Sequence, residues 1–232
     1  GKGVIGMTAR EADKEEDSDF VEYLFTAATH DYLMFFTESG RCYVERVFEI
    51  PEGSRASKGR SIANLLELRS EEKITATIRI QGQKTDDETW NEGLHIVFAT
   101  RSGIVKKSNL NDFKNIRKGG IIAIKIEEGD KLIDCKLTDG HNEIVLITHE
   151  GMSIRFSEEE LRDQGRNTVG VWGIRPDKGD YIVGAAIVNK DCQLLVAGEE
   201  GIGKKGIYKS SRTPEARAEK ATSQLCTSNS TT

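Results

Sequence analysis

The sequence predicts an all-β fold of repeated four-stranded blades arranged like a propeller, and three observations carry that expectation. A four-residue turn ending in glycine recurs at Thr37–Gly40, Thr100–Gly103, Thr148–Gly151 and Gly198–Gly201, each copy leaving one apolar run and entering a second strand. The closing glycines are spaced by 63, 48 and 50 residues, about the length of one small antiparallel sheet or propeller blade. The apolar runs are of strand length, rich in β-branched residues and bounded by turn residues, with no helical period.

Each unit then follows one plan. Glycine closes the recurring turn because it reaches positive φ without a Cβ clash. Downstream comes a second anchor of glycine and cation, at Arg55–Arg60, Ile116–Gly120 and Gln164–Gly170. An apolar strand is expected after each anchor, at 62–68, 121–126 and 169–174, and a last strand after a charged turn, at 74–80, 132–137 and 181–188. The first spacing is longer because the polar stretch Gly82–Glu92 looks inserted. Three full units and part of a fourth give an incomplete set of about 3.5 blades over residues 1–208. The tail, residues 209–232, has Leu225 as its only large aliphatic side chain. It is expected to be disordered, or at most a loose helix over 214–225, and to leave a strand edge exposed on the last blade.

Composition fits this plan. With 232 residues, 37% of them hydrophobic and only three prolines, the chain can bury a sizeable core. No apolar run is long enough to span a bilayer, and none resembles a signal peptide. Cys42, Cys135, Cys192 and Cys226 occupy unrelated repeat positions. That pattern suggests neither a zinc site nor a disulfide framework, and suits a reducing cytoplasm. The four histidines are scattered and read as solvated or packed. Trp172 and the Phe35–Phe36 pair read as core residues.

The formal net charge of −5 conceals an asymmetry. Residues 11–19 hold six acids and one lysine, which accounts for all of it. Elsewhere cations gather at recurring places. Four residues after the turn glycine stand Lys107, Arg155 and Lys205, with Lys106 and Lys204 beside two of them. The first unit has Val44 there, flanked by Arg41 and Arg46. The second anchor adds Arg55, Lys58 and Arg60, then Arg117 and Lys118, then Arg166. Repeats place equivalent residues on equivalent parts of successive blades, so these positions are expected to form a charged track on the outside, suited to a long polyanion. Two readings stay open at this point: a nucleic-acid-binding rim, and a protein-binding propeller whose cations only solubilise it.

Three segments resemble the C-terminal domain of the bacterial DNA gyrase A protein. They are Thr29–Tyr43, Arg55–Leu66 and Gly165–Arg175, which follow the order and spacing of that family's blades over roughly residues 1–205. The resemblance implies a β-pinwheel, in which neighbouring blades exchange strands and duplex DNA wraps around a basic outer perimeter. In the family this wrapping supports ATP-dependent negative supercoiling, a type IIA topoisomerase (isomerase) activity, together with the rest of gyrase A and with gyrase B. ATP and magnesium then belong elsewhere in the full enzyme, with no cofactor, metal or catalytic residue expected in this chain, no membrane partner, and a bacterial cytoplasmic, nucleoid-associated location. The opening Gly1-Lys2-Gly3 is compatible with only the last three positions of the family's basic gyrase box. Lys2 joins the expected DNA contacts on that basis, and the chain reads as a fragment beginning inside the motif. That box separates gyrase from topoisomerase IV, so a topoisomerase IV-type DNA-binding domain stands as an alternative beside the protein-interaction propeller.

An enzymatic reading finds no motif. The run Gly198–Lys205 has the glycines and lysines of a phosphate loop, but no hydroxyl follows the lysine and no helix follows the turn. Without aromatics interleaved among the cations, duplex is expected rather than single strand.

Overall fold

The computed structural model describes residue 24 and residues 26–53, 61–82, 92–114 and 116–188, with three further strands at 194–198, 203–206 and 221–226 described by their backbone. The first unit contributes β1 (Tyr32–Thr37), β2 (Arg41–Arg46) and β3 (Ile74–Ile80). The second contributes β4 (His95–Thr100), β5 (Ile104–Asn109), β6 (Ile121–Ile122) and β7 (Leu132–Thr138), and the third β8 (Glu143–Thr148), β9 (Ser153–Ser157), β10 (Val171–Trp172) and β11 (Ile182–Val188). Strands β12 (Leu194–Gly198), β13 (Gly203–Gly206) and β14 (Ala221–Cys226) form the fourth sheet.

Every hairpin is antiparallel around the recurring turn, with Phe35 opposite Tyr43, Val97 opposite Lys107 and Val145 opposite Arg155. The sheets do not follow unit boundaries. Strand β6 leaves its own unit and pairs with β2, placing Ile122 opposite Arg41, while β10 leaves the third unit and pairs with β5, placing Trp172 opposite Ile104. The first two sheets therefore run β3-β1-β2-β6 and β7-β4-β5-β10. Strand exchange of this kind is the pinwheel arrangement.

The exchange is held by backbone bonds at the turn. The Gly40 carbonyl accepts from Ala123 N at 2.8 Å and Ile124 N at 3.1 Å, and the Gly103 carbonyl accepts from Gly173 N at 2.9 Å and Ile174 N at 3.3 Å. At φ +102 Gly103 is in the left-handed region, and a Cβ there would lie 2.3 Å from the Ile174 carbonyl oxygen. Glycine is required twice over, by its backbone angle and by this close approach. A second contact repeats beside it: Leu132 N donates to Glu38 O at 2.9 Å, and Ile182 N to Arg101 O at 2.8 Å.

Both faces of the second blade are covered, which is why β4 reads as an unbroken apolar run. Ile96 and Phe98 join Met34, Phe36, Cys42, Ile78 and Cys135 in the core between the first two blades. Val97 and Ala99 point the other way, into the core shared with Ile144, Leu146 and Ile182 of the third. Strand β7 lies against β3 on one side and β11 on the other, while β6 and β10, at the opposite edges of their sheets, carry the exposed Ile122, Val171 and Trp172 and face outward.

The expected final strands are present, and two expected middle strands shrink to the two-residue pairings β6 and β10. The one expected at 62–68 is instead a 3-10 turn at Ile62–Asn64, with Ser61 Oγ accepting from Ala63 N. Among the described residues no earlier sheet offers this segment an edge, so Leu65, Leu66 and Leu68 pack on Leu33, Phe35 and Tyr43. In the tail, residues 221–226 pair with β12 as β14 where disorder or a loose helix was expected. An open strand edge is satisfied by any extended backbone, and here 221–226 supplies one, with Leu195 opposite Leu225 in register. The rest of 209–232 falls outside the described residues.

Candidate nucleic-acid interface

Among the exposed cations, one set lies in the segments flanking the exchanged strands, while others, such as Arg69, Lys73, Arg101 and Lys131, lie elsewhere. Arg117 and Lys118 lie in the turn before β6, and Lys125 follows it; Arg166 is half-buried in the turn before β10, and Arg175 follows it. Arg46, at the end of β2, is exposed with its guanidinium 5.4 Å from the Tyr32 ring centroid and 5.8 Å from that of Phe48.

Other expected contacts are turned inward, which corrects the idea of one charged track through all of them. Lys106 is fully buried. Its ammonium donates to the carbonyl oxygens of Ala123 at 2.7 Å and Arg166 at 2.8 Å and lies 5.5 Å from the Phe98 ring centroid. Burial, aided by the Arg166 charge and opposed by Asp112, pulls its pKa down to about 8. Lys107 is also buried, donating to Glu158 O at 2.8 Å beside Asp163 at 4.0 Å. Consecutive strand residues point to opposite faces, and both faces of this blade are covered by neighbours, so neither side chain reaches solvent. Each lysine instead ties β5 to a segment from the adjacent turns.

Arg41 and Arg155 are likewise engaged. Arg41 donates to Gly119 O at 2.6 Å and Gly120 O at 3.0 Å and lies 3.6 Å from Glu72. Arg155 pairs with Glu143 across the β8–β9 hairpin. Lys2, Arg55, Lys58 and Arg60 lie outside the described residues, and Lys204 and Lys205 are described only as backbone positions of β13.

Three perimeter residues escaped the sequence reading. Lys125 and Arg175 each stand five residues after an anchor glycine, Gly120 and Gly170, and that shared spacing was the available signal. Trp172, expected in the core, is 51% exposed on the edge strand β10, with the Arg175 guanidinium 5.3 Å from its ring centroid. Phe35 and Phe36 are buried as expected.

The fold defines a strand-exchanging, propeller-like repeat domain, with exposed cations beside the exchanged edge strands. The family model described as DNA gyrase C-terminal domain, beta-propeller matches residues 31–81, 94–139 and 142–189, and the chain belongs to that family. The DNA gyrase A protein of Haloquadratum walsbyi is 41% identical over 207 residues, covering 88% of this chain and 23% of that protein. The gyrase A protein of Escherichia coli K12 is 38% identical over 200 residues, covering 86% and 22%. The chain thus spans under a quarter of these curated relatives. Among solved structures, the C-terminal domain of DNA topoisomerase IV superposes with a TM-score of 0.69 at 28% identity, over 87% of this chain and 65% of that one. The DNA gyrase A C-terminal domain gives 0.65 at 24%, over 87% and 67%, a likeness of fold.

Proposed function

We propose that this domain binds duplex DNA without sequence preference along its outer perimeter and bends it, as the wrapping module of a gyrase-type topoisomerase. The observation that carries this reading is the placement of Arg117, Lys118, Lys125 and Arg175 in the segments beside the exchanged edge strands of successive blades, all exposed. Cations spaced along a curved edge neutralise phosphates and release counterions, which gives affinity without reading bases. Bending 20–30 base pairs by 40–90° costs roughly 1–6 kcal/mol, which several such contacts offset. The domain contributes binding and geometry. Strand passage, ATP and magnesium belong to the rest of gyrase A and to gyrase B, in the bacterial cytoplasm.

The test is affinity for linear duplex across a salt series, paired with a linking-number assay on relaxed plasmid with a nicking-closing enzyme. Steeply salt-dependent binding with a linking-number shift is the expected result. Binding without the shift would remove the wrapping claim and leave a DNA-holding edge. No binding at low salt would overturn the reading and favour a protein partner.

A further inference from the structure

Two exposed apolar side chains recur at one repeat position on the perimeter. Ile122 and Trp172 are each the second residue of an exchanged strand, opposite the residue that follows the turn glycine, Arg41 and Ile104. They are 47% and 51% exposed. Three residues further on stands an exposed cation in both blades, Lys125 and Arg175. A lone exposed apolar residue is ordinary, but the same knob-and-cation pair at the same register of neighbouring blades makes a periodic surface feature. In the second blade the pair is preorganised, because the Arg175 guanidinium sits against the Trp172 ring.

We propose that Trp172, with Ile122 in the preceding blade, is an apolar contact to bound duplex, set against the sugar edges of a minor groove that faces the domain. The inference rests on the proposed DNA binding and adds a non-electrostatic contact to it. Charge complementarity selects the occupant. The knobs are flanked by Arg117, Lys118, Lys125, Arg166 and Arg175, a setting that attracts a polyanion and disfavours a purely apolar protein face. A duplex bent around a protein turns its minor groove inward once per helical turn, so perimeter side chains at the right spacing meet the sugar edges of that groove without entering the base stack. The indole N–H of Trp172 has no acceptor among the described residues, so it is available to a groove or phosphate oxygen.

The experiment uses the 232-residue chain with W90F, which leaves Trp172 as its only tryptophan. Acrylamide quenching is measured with and without a saturating 40-base-pair duplex, and affinities of W172A and W172F are measured over the same salt series in the chain retaining Trp90. Expected are at least a twofold fall in the quenching constant on DNA binding and about a tenfold loss of affinity in W172A, the scale of burying one apolar side chain. The slope on log salt should stay unchanged, and W172F, which keeps an apolar ring but not the indole N–H, should recover part of the loss. Tight binding with Trp172 as accessible as before, or W172A binding like the native chain, overturns this contact while leaving the DNA reading intact. Absence of binding by the native chain at low salt overturns both.

Discussion

The Lys106 ammonium donates to the carbonyl oxygen of Arg166 at 2.8 Å, tying β5 of the second blade to the turn that sends β10 across from the third. The same nitrogen holds the Ala123 carbonyl, so one side chain fastens two exchanged segments. A neutral amine still has two N–H donors, enough for both acceptors. Burial lowers the folded pKa to about 8 from 10.5. Between those values the unfolded chain keeps a proton that the folded chain has lost, so this group makes stability rise with pH, by roughly 3 kcal/mol across the window. In K106M both carbonyls lose their donor, at a cost of about 1–3 kcal/mol at pH 7, and the pH-dependent gain disappears. Urea unfolding at pH 7 and pH 9.5 should show the gap between native and K106M widening. A gap that narrows contradicts this account of Lys106.

Gly103 and Gly129 separate two costs of adding a side chain. Both have positive φ, but a Cβ at Gly103 meets the Ile174 carbonyl oxygen at 2.3 Å, whereas at Gly129 nothing lies within 4 Å. G129A should cost about 1 kcal/mol, the backbone strain alone. G103A should cost at least about 2 kcal/mol more, because it pushes away the strand whose amides bond to Gly103 O. Thermal denaturation of the two variants checks the difference, and equal losses would mean the clasp is not the weak point.

Much of this fold is legible in the chain because the repeat fixes it locally. The turn glycines, the apolar runs and the final strands each follow from turn chemistry and a period of two. The segment at 62–68 was misread because its conformation depends on whether a preceding sheet offers an edge, which no local pattern reveals. The cations were misread for a related reason. Lysine at a repeated position looks solvated by default, yet Lys106 and Lys107 sit in a strand covered on both faces, where backbone carbonyls replace water. Trp172 fails in the opposite direction. Its hydrophobicity suggests the core, but it belongs to a strand that has left its own sheet for an outer edge.

Tyr43, Glu72 and Arg41 form a network that links pH to the first exchanged strand. Tyr43 Oη donates to Glu72 Oε2 at 2.6 Å, Arg69 N donates to the same oxygen at 3.0 Å, and Ser39 Oγ donates to Oε1 at 3.2 Å. Burial pushes the Glu72 pKa up, but these bonds and the Arg41 charge outweigh it, and the net shift is below the ordinary 4.5. The folded state therefore binds fewer protons, and this stabilisation is present above pH 4.5 and lost as the pH falls toward the lowered value. E72Q should lower stability by about 1–2 kcal/mol at pH 7 and flatten the acid limb of the unfolding curve between pH 5 and 3. Parallel acid limbs for E72Q and the native chain would show that Glu72 does not set this dependence.

The perimeter and the interior cations predict different salt behaviour. Each phosphate contact removed should reduce the slope of log affinity on log salt by about 0.9. Replacing Lys118, Lys125 or Arg175 by alanine should therefore lower affinity and shave the slope by about that amount each, with no change in melting temperature beyond a degree or two, since all three side chains are exposed. Arg155 is held by Glu143 and is largely buried, so R155A should reduce stability and leave the slope where it was. Titrations of a 40-base-pair duplex at 50–200 mM salt decide between the two sets. A slope that responds to Arg155 but not to Lys125 and Arg175 would move the DNA path off the exchanged strands and onto the β8–β9 hairpin.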